Sequence, residues 1–322
     1  MVPSGVPGKK YFASRNLFCY NLDQSEGEKG FNQKEDYMNF GIDSIMDTFE
    51  IGFDSKKIFF QLSGVIIALL GFFVFSWLGS GIKNLEILFN ILGGIWLYMV
   101  LTLTHGGTCR MFYVELSSRE KPSLPQTIKF VKDRALALIG SPLLLLLSMA
   151  LILVAEFASV WLLGKIPALG EILNALLCLP LFALNALIAL LLLFGTALAM
   201  AIIAVDEFKA ADTVKRIFEV VKKSPIYLIL YYSFATLFLL LVILGVLITY
   251  FISLSLTSGI FWPITSALAS GTFLATSLSS KIAVILLFVV LAFISALVFS
   301  YILVAIQGIN TAIYLSIKER IK

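Results

Sequence analysis

The sequence predicts an all-α, polytopic transmembrane helix bundle of six spans, with amphipathic helices lying at the cytosolic surface. Three observations predict it. Of 322 residues, 59% are hydrophobic and 14% charged, and the mean hydropathy is +0.97. Soluble domains run nearer about 50% apolar and about 25% charged. Six continuous apolar runs each reach the roughly 20 residues that a hydrocarbon core of about 30 Å demands. Finally, the basic residues alternate between the loops.

The same composition excludes other classes. Disorder needs low hydrophobicity and high charge. Three distant cysteines, Cys19, Cys109 and Cys178, are an odd count and no disulfide framework. A dispersed net charge of +4 argues against a nucleic-acid partner.

Residues 1–36 read as a flexible cytosolic tail, with Ser4, Gly5, Pro7 and Gly8 followed by a charged stretch from Asp23 to Asp36. Residues 37–322 form the membrane domain. The first span is Ile58–Leu78. A long polar segment precedes it, so it is not a cleaved signal peptide, which starts within the first few residues. The second is Leu85–Thr104, and the third is Leu136–Leu163 with Pro142 near its start. The fourth, Ile172–Val205, is over-long, and Pro180 is expected to kink it. The fifth is Ile226–Ile252 and the sixth Ile282–Ile306. These runs are continuous, whereas membrane strands are short and alternate. The outer loop Ser253–Ser280 has no charge and carries Trp262-Pro263. It reads as re-entrant or interfacial.

Charge sets the orientation. Lys and Arg number seven before the first span, six after the second, five after the fourth and three after the sixth. The intervening loops hold one each: Lys83, Lys165 and Lys281. Both termini are therefore expected in the cytoplasm. Trp77 and Trp161 fall at outer span ends, as interfacial rings do, and Trp96 is expected to pack against another helix.

Each cytosolic segment carries an amphipathic helix that feeds an odd-numbered span. The first sets Ile42, Ile45, Met46, Phe49 and Phe53 against Asp43, Asp47, Glu50 and Asp54, with Lys56 and Lys57 meeting the membrane. In the second, Ser123 and Pro125 suit a helix start. Ile128, Val131 and Ala135 then oppose Lys129, Lys132 and Asp133. The third sets Val214, Ile217, Phe218 and Val221 against Asp212, Lys215, Arg216 and Glu219. Two readings stand: an internal repeat of three units (37–104, 123–205 and 208–306), or the shared look of any helix at a membrane surface.

Ionisable groups in hydrocarbon are functional candidates by default. Glu156 and Asn185 form the candidate intramembrane polar site. Glu156 reads as a proton- or cation-linked group, as an anchor for a partner, or as a side chain at the outer interface near Lys165. His105, Arg110 and Glu115 form the candidate site at the cytosolic boundary. His105 and Cys109 share a helical face, but zinc wants three or four ligands, so no metal is expected. Gly106 and Gly107 read as a bend or a close-packed interface. Asn174, Gln307 and Asn310 read as helix-packing residues. No H-E-x-x-H, P-loop, G-x-S-x-G or C-x-x-C occurs.

Residues Ala204–Tyr231 read A-V-D-E-F-K-A-A-D-T-V-K-R-I-F-E-V-V-K-K-S-P-I-Y-L-I-L-Y, and Gly106–Leu147 opens G-G-T-C-R-M-F-Y-V-E-L. Both resemble uncharacterised bacterial polytopic membrane-protein families, built from domains of unknown function. There an acidic residue after a long span leads into a basic amphipathic helix and the next span. Asp206, Glu207, Ala211, Lys215, Arg216, Ser224 and Pro225 match that pattern, over roughly a third of the chain. The resemblance implies a bacterial six-helix membrane protein and carries no catalytic residue; the expected location is the cytoplasmic (inner) membrane. The expected function is a non-enzymatic scaffold or accessory subunit of a membrane complex, without cofactor. Its partners would be the lipid bilayer and a second protein or another copy of the chain. The alternative is a transporter or permease subunit for an apolar or amphipathic, lipid-like substrate.

Overall fold

The computed structural model describes residues 45, 46, 48, 51, 52, 54–81, 85–118, 120–166, 169–260 and 278–321. The tail expected over 1–36 lies outside the described residues. So do Trp262 and most of the first amphipathic helix: Ile42, Asp43, Asp47, Phe49, Glu50 and Phe53. The described residues contain helix and no strand.

The helices are α1 (Ser55–Ser80), α2 (Glu86–Ser118), α3 (Leu124–Asp133), α4 (Ala135–Gly164) and α5 (Leu169–Leu190). A π turn, Leu191–Gly195, joins α5 to α6 (Thr196–Asp206). Then come α7 (Ala210–Lys223), α8 (Pro225–Ile260) and α9 (Leu278–Ile321). Six stretches are long and apolar enough to cross a membrane: α1, α2, α4, the α5–α6 rod, α8 and α9.

Local chemistry explains several boundaries. The Asp54 carboxylate accepts from the Lys56 N–H at 3.1 Å and caps α1. Proline opens α8 and sits in the first turn of α3, where its missing N–H has no helical partner to lose. One residue, Arg134, separates α3 from α4, and one, Ser224, separates α7 from α8. Each short helix thus turns straight into a span.

Two helices overrun their predicted ends. The second continues from Thr104 to Ser118, and the sixth from Ile306 to Ile321. Polarity suggested loops there, but much of that polarity points inward. Thr108 and Cys109 on α2, and Gln307, Asn310 and Thr311 on α9, are buried against neighbouring helices. Of the two readings of Gly106-Gly107, the close-packed one holds. A Cβ on Gly107 would lie 2.6 Å from Phe60 and 2.9 Å from Val131, and one on Gly106 would strike Leu138. In the fourth span Pro180 lies inside α5 without ending it, and the helix changes to a π turn only at Leu191.

α1 and α2 form a hairpin; α9 packs on α1, α2, α6 and α8, and α4 packs on α5, α6 and α7. Trp96 donates to the Ile67 carbonyl across the first hairpin at 3.1 Å. The main core gathers Leu145, Leu198, Ile202, Ile217, Tyr231 and Ile313. It lies where α4 and α8 begin and where α6 and α9 end.

The short helices bury other faces than expected in part. In α3, Thr127 and Phe130 are buried while Ile128 is 58% exposed. Phe130 packs inward with Cys109, Leu138, Met200 and Ile203, and Arg110 lies over its ring, 5.0 Å from the centroid. In α7, Ile217 and Val221 are buried and Val214 and Phe218 half-buried, while Asp212, Lys215 and Glu219 are exposed.

Candidate functional site

The polar chemistry collects where α6 ends. A helix C-terminus carries unpaired carbonyls and partial negative charge, so it attracts cations. This one adds two carboxylates, Asp206 and Glu207. Glu207 caps α6 at φ 55, the one positive-φ non-glycine among the described residues. A left-handed conformation costs a residue with a Cβ about 1 kcal/mol. The ion pairs of its carboxylate offset that cost.

Arg110 from α2 donates to the Ala204 carbonyl at 2.7 Å and pairs with Glu207 at 2.9 Å. Arg134, at the α3–α4 corner, pairs with the other Glu207 oxygen at 3.1 Å. Asp206 accepts from Lys318 and from the Tyr314 hydroxyl, both on α9. Arg216 of α7 reaches Tyr314 at 3.4 Å and Glu219 at 3.0 Å. Burial works against the Arg216 charge, but Tyr314 and Glu219 outweigh it and raise its pKa.

Two further contacts complete the layer. Lys57 of α1, expected at the lipid surface, is instead fully buried. It pairs with Glu115 of α2, donates to the Ile51 carbonyl at 2.8 Å and lies 4.5 Å from the Phe112 ring centroid. Arg320 of α9 donates to the Tyr231 hydroxyl of α8 at 3.2 Å and covers Tyr227. Every candidate span is thereby tied into one polar layer.

The boundary residues do not form one centre. Arg110 and Glu115 are both in the layer, with different partners. His105 is half-buried and its Nε2 is buried without a partner. No group of His, Cys, Asp and Glu among the described residues could hold a metal ion. Beside His105 runs a second buried set: Thr108 donates to Gln61 at 2.9 Å, Cys109 to Gln307 at 3.2 Å, and Tyr232 to Asn310 at 3.0 Å.

Glu156 and Asn185 stand apart from all this. Glu156 lies 22 residues from Arg134, about 33 Å along the helix, and Asn185 lies 21 residues from Asp206, about 31 Å. Both therefore lie well away from the polar layer along their helices. Glu156 Oε1 is buried without a partner. Lys165 sits over Trp161, 3.4 Å from its ring centroid, and forms no ion pair with Glu156. Asn185 is exposed.

Sequence reasoning placed Lys57 at the membrane surface, did not single out Arg134, Tyr314 and Lys318, and met Asp206 and Glu207 only as part of a pattern. One signal was present: two adjacent acids closing the longest apolar run.

The fold and site thus define a helical protein with six helices fit to span a membrane and a polar layer at one end. No family model, no curated protein and no solved structure matches the chain.

Proposed function

We propose that this chain is an integral protein of the bacterial inner membrane, with both termini cytoplasmic, that acts as a non-enzymatic scaffold or accessory subunit of a membrane complex. α3 and α7 would lie as amphipathic helices in the cytoplasmic interface. The observation that carries the reading is the polar layer. Its carboxylates pair with its own cations, and those pairs join α1, α2, the start of α4, α6 and α9, while Arg320 ties α8 to α9 through the Tyr231 hydroxyl. Groups engaged in this way hold a frame together and are not poised to react. Meanwhile large apolar side chains such as Phe157, Trp161, Leu179 and Phe182 remain exposed for lipid or a partner helix.

The test is the intact mass of the particle in native nanodiscs. A second protein, or a second 35.5 kDa copy, in fixed ratio is the expected result. A lone chain would contradict it.

One observation favours transport of a lipid-like substrate. An apolar groove of about 560 Å³ opens between α8 and α9, lined by Leu241, Val242, Gly245, Leu297 and Val298. A lone chain that moves labelled lipid between leaflets, and loses this when Gly245→Phe fills the groove, would establish that reading.

A further inference from the structure

Beside the polar layer is a cleft of about 440 Å³ lined by Arg110, Gln126, Lys129, Phe130, Asp133, Arg134 and Glu207. It holds three cations against two acids. Glu207 engages both guanidiniums, yet a guanidinium has five N–H donors. Arg110 uses its donors on Ala204 and Glu207, and Arg134 uses one nitrogen on Glu207. Lys129 is exposed and makes no hydrogen bond or ion pair among the described residues. Spare cationic donors therefore face an open cleft with Phe130 in its wall.

Depth and surroundings choose the ligand. Arg110 lies six residues past Thr104, about 9 Å beyond the predicted end of the apolar run. Headgroups occupy a layer of roughly that scale outside the hydrocarbon. Arg134 immediately precedes the first residue of α4. Leu124, Ile128 and Leu136 nearby in sequence are exposed, Leu136 at 89%. Basic groups above an apolar surface attract anionic lipid.

We propose that this cleft holds the phosphodiester headgroup of an anionic phospholipid of the cytoplasmic leaflet. The phosphate oxygens accept from Lys129 and Arg134, and the acyl chains run along the exposed leucines. The proposal rests on the reading that the chain spans a membrane.

The test uses the full chain in nanodiscs made of equal parts phosphatidylglycerol and phosphatidylcholine, with retained lipid counted by native mass spectrometry. The wild type is expected to retain phosphatidylglycerol in preference. Lys129→Glu should lower that retention about five-fold or more, since each surface cation contributes on that order. Lys129 has no partner to lose, so the variant should stay monodisperse. Lys215→Glu, an equally exposed reversal on α7, should change little. Equal retention of both lipids, or equal loss in both variants, would overturn the proposal. So would displacement of the lipid by millimolar inorganic phosphate that then binds alone, which marks a soluble phosphate ligand. A chain stripped from membranes by alkaline carbonate would instead break the membrane reading, before any lipid is counted.

Discussion

The two halves of the fourth span are alike in composition and opposite in surroundings. In α6, every residue from Leu198 to Val205 is buried. In α5, Leu176, Leu179 and Phe182 are 69%, 77% and 72% exposed. Hydrophobicity does not distinguish them, because a lipid-facing leucine and a core leucine look the same in a sequence. What distinguishes them is the polar layer beyond α6, which joins different hairpins: Arg110 of the first to Glu207 of the second, and Lys318 of the third to Asp206 of the second. Polar contacts at the other end join each hairpin to itself. Ser76 donates to Asn90 at 2.8 Å, Asn174 to the Val160 carbonyl at 3.3 Å, and Tyr250 meets Ser295 at 2.7 Å. One end is clasped across the bundle, and the other is held hairpin by hairpin.

That contrast can be broken by substitution. The largest effect belongs to Asp206→Ala, which strands Lys318 and Tyr314 at a carboxylate only 8% exposed. Unfolding by denaturing detergent should show a loss of about 3 kcal/mol, the scale for breaking a buried pair. Lys57→Met comes next, at about 2 kcal/mol, because Glu115 and the Ile51 carbonyl lose their donor. Adding Glu115→Leu should recover part of it, since replacing both members of a buried pair is tolerated better than removing one. Loss on Lys57→Met with no recovery in the double variant would point to packing instead of charge.

Glu207 separates backbone from charge. Its side chain is 42% exposed, so solvent screens its pairs and Glu207→Ala should cost only about 1 kcal/mol. Glu207→Gly should cost less than Glu207→Ala, because glycine accepts φ 55 freely. The reverse order would mean that the turn is not left-handed. The smallest effect belongs to the far end. Glu156→Gln keeps the shape of a side chain whose Oε1 has no partner, and its stability should stay within about 0.5 kcal/mol.

How much was legible follows from the same physics. Apolar run length reveals the six helices long enough to span, because crossing hydrocarbon needs a minimum length. It does not reveal where α2 and α9 stop, because Thr108, Cys109, Gln307 and Asn310 are polar residues buried between helices. Lys57 looked like a headgroup contact and proved to be a buried anchor, since its partner Glu115 is 58 residues away. Ile128 fits an apolar stripe at helical spacing, yet Phe130, two residues on, is the one buried. Periodicity marks a face but not the neighbour it meets. The acids at Asp206 and Glu207 were visible as a pair, while their cations come from three separate stretches of chain.

The proposed function puts the clasped end in the cytoplasm, and side-specific labelling tests this most directly. Lys129→Cys and Lys165→Cys would each be introduced into a chain whose Cys19 and Cys178 are serine. Cys109 is fully buried and can remain. A membrane-impermeant maleimide should label Lys129→Cys only in inverted vesicles and Lys165→Cys only in right-side-out ones. The opposite pattern, or labelling of both positions from one side, would contradict the account.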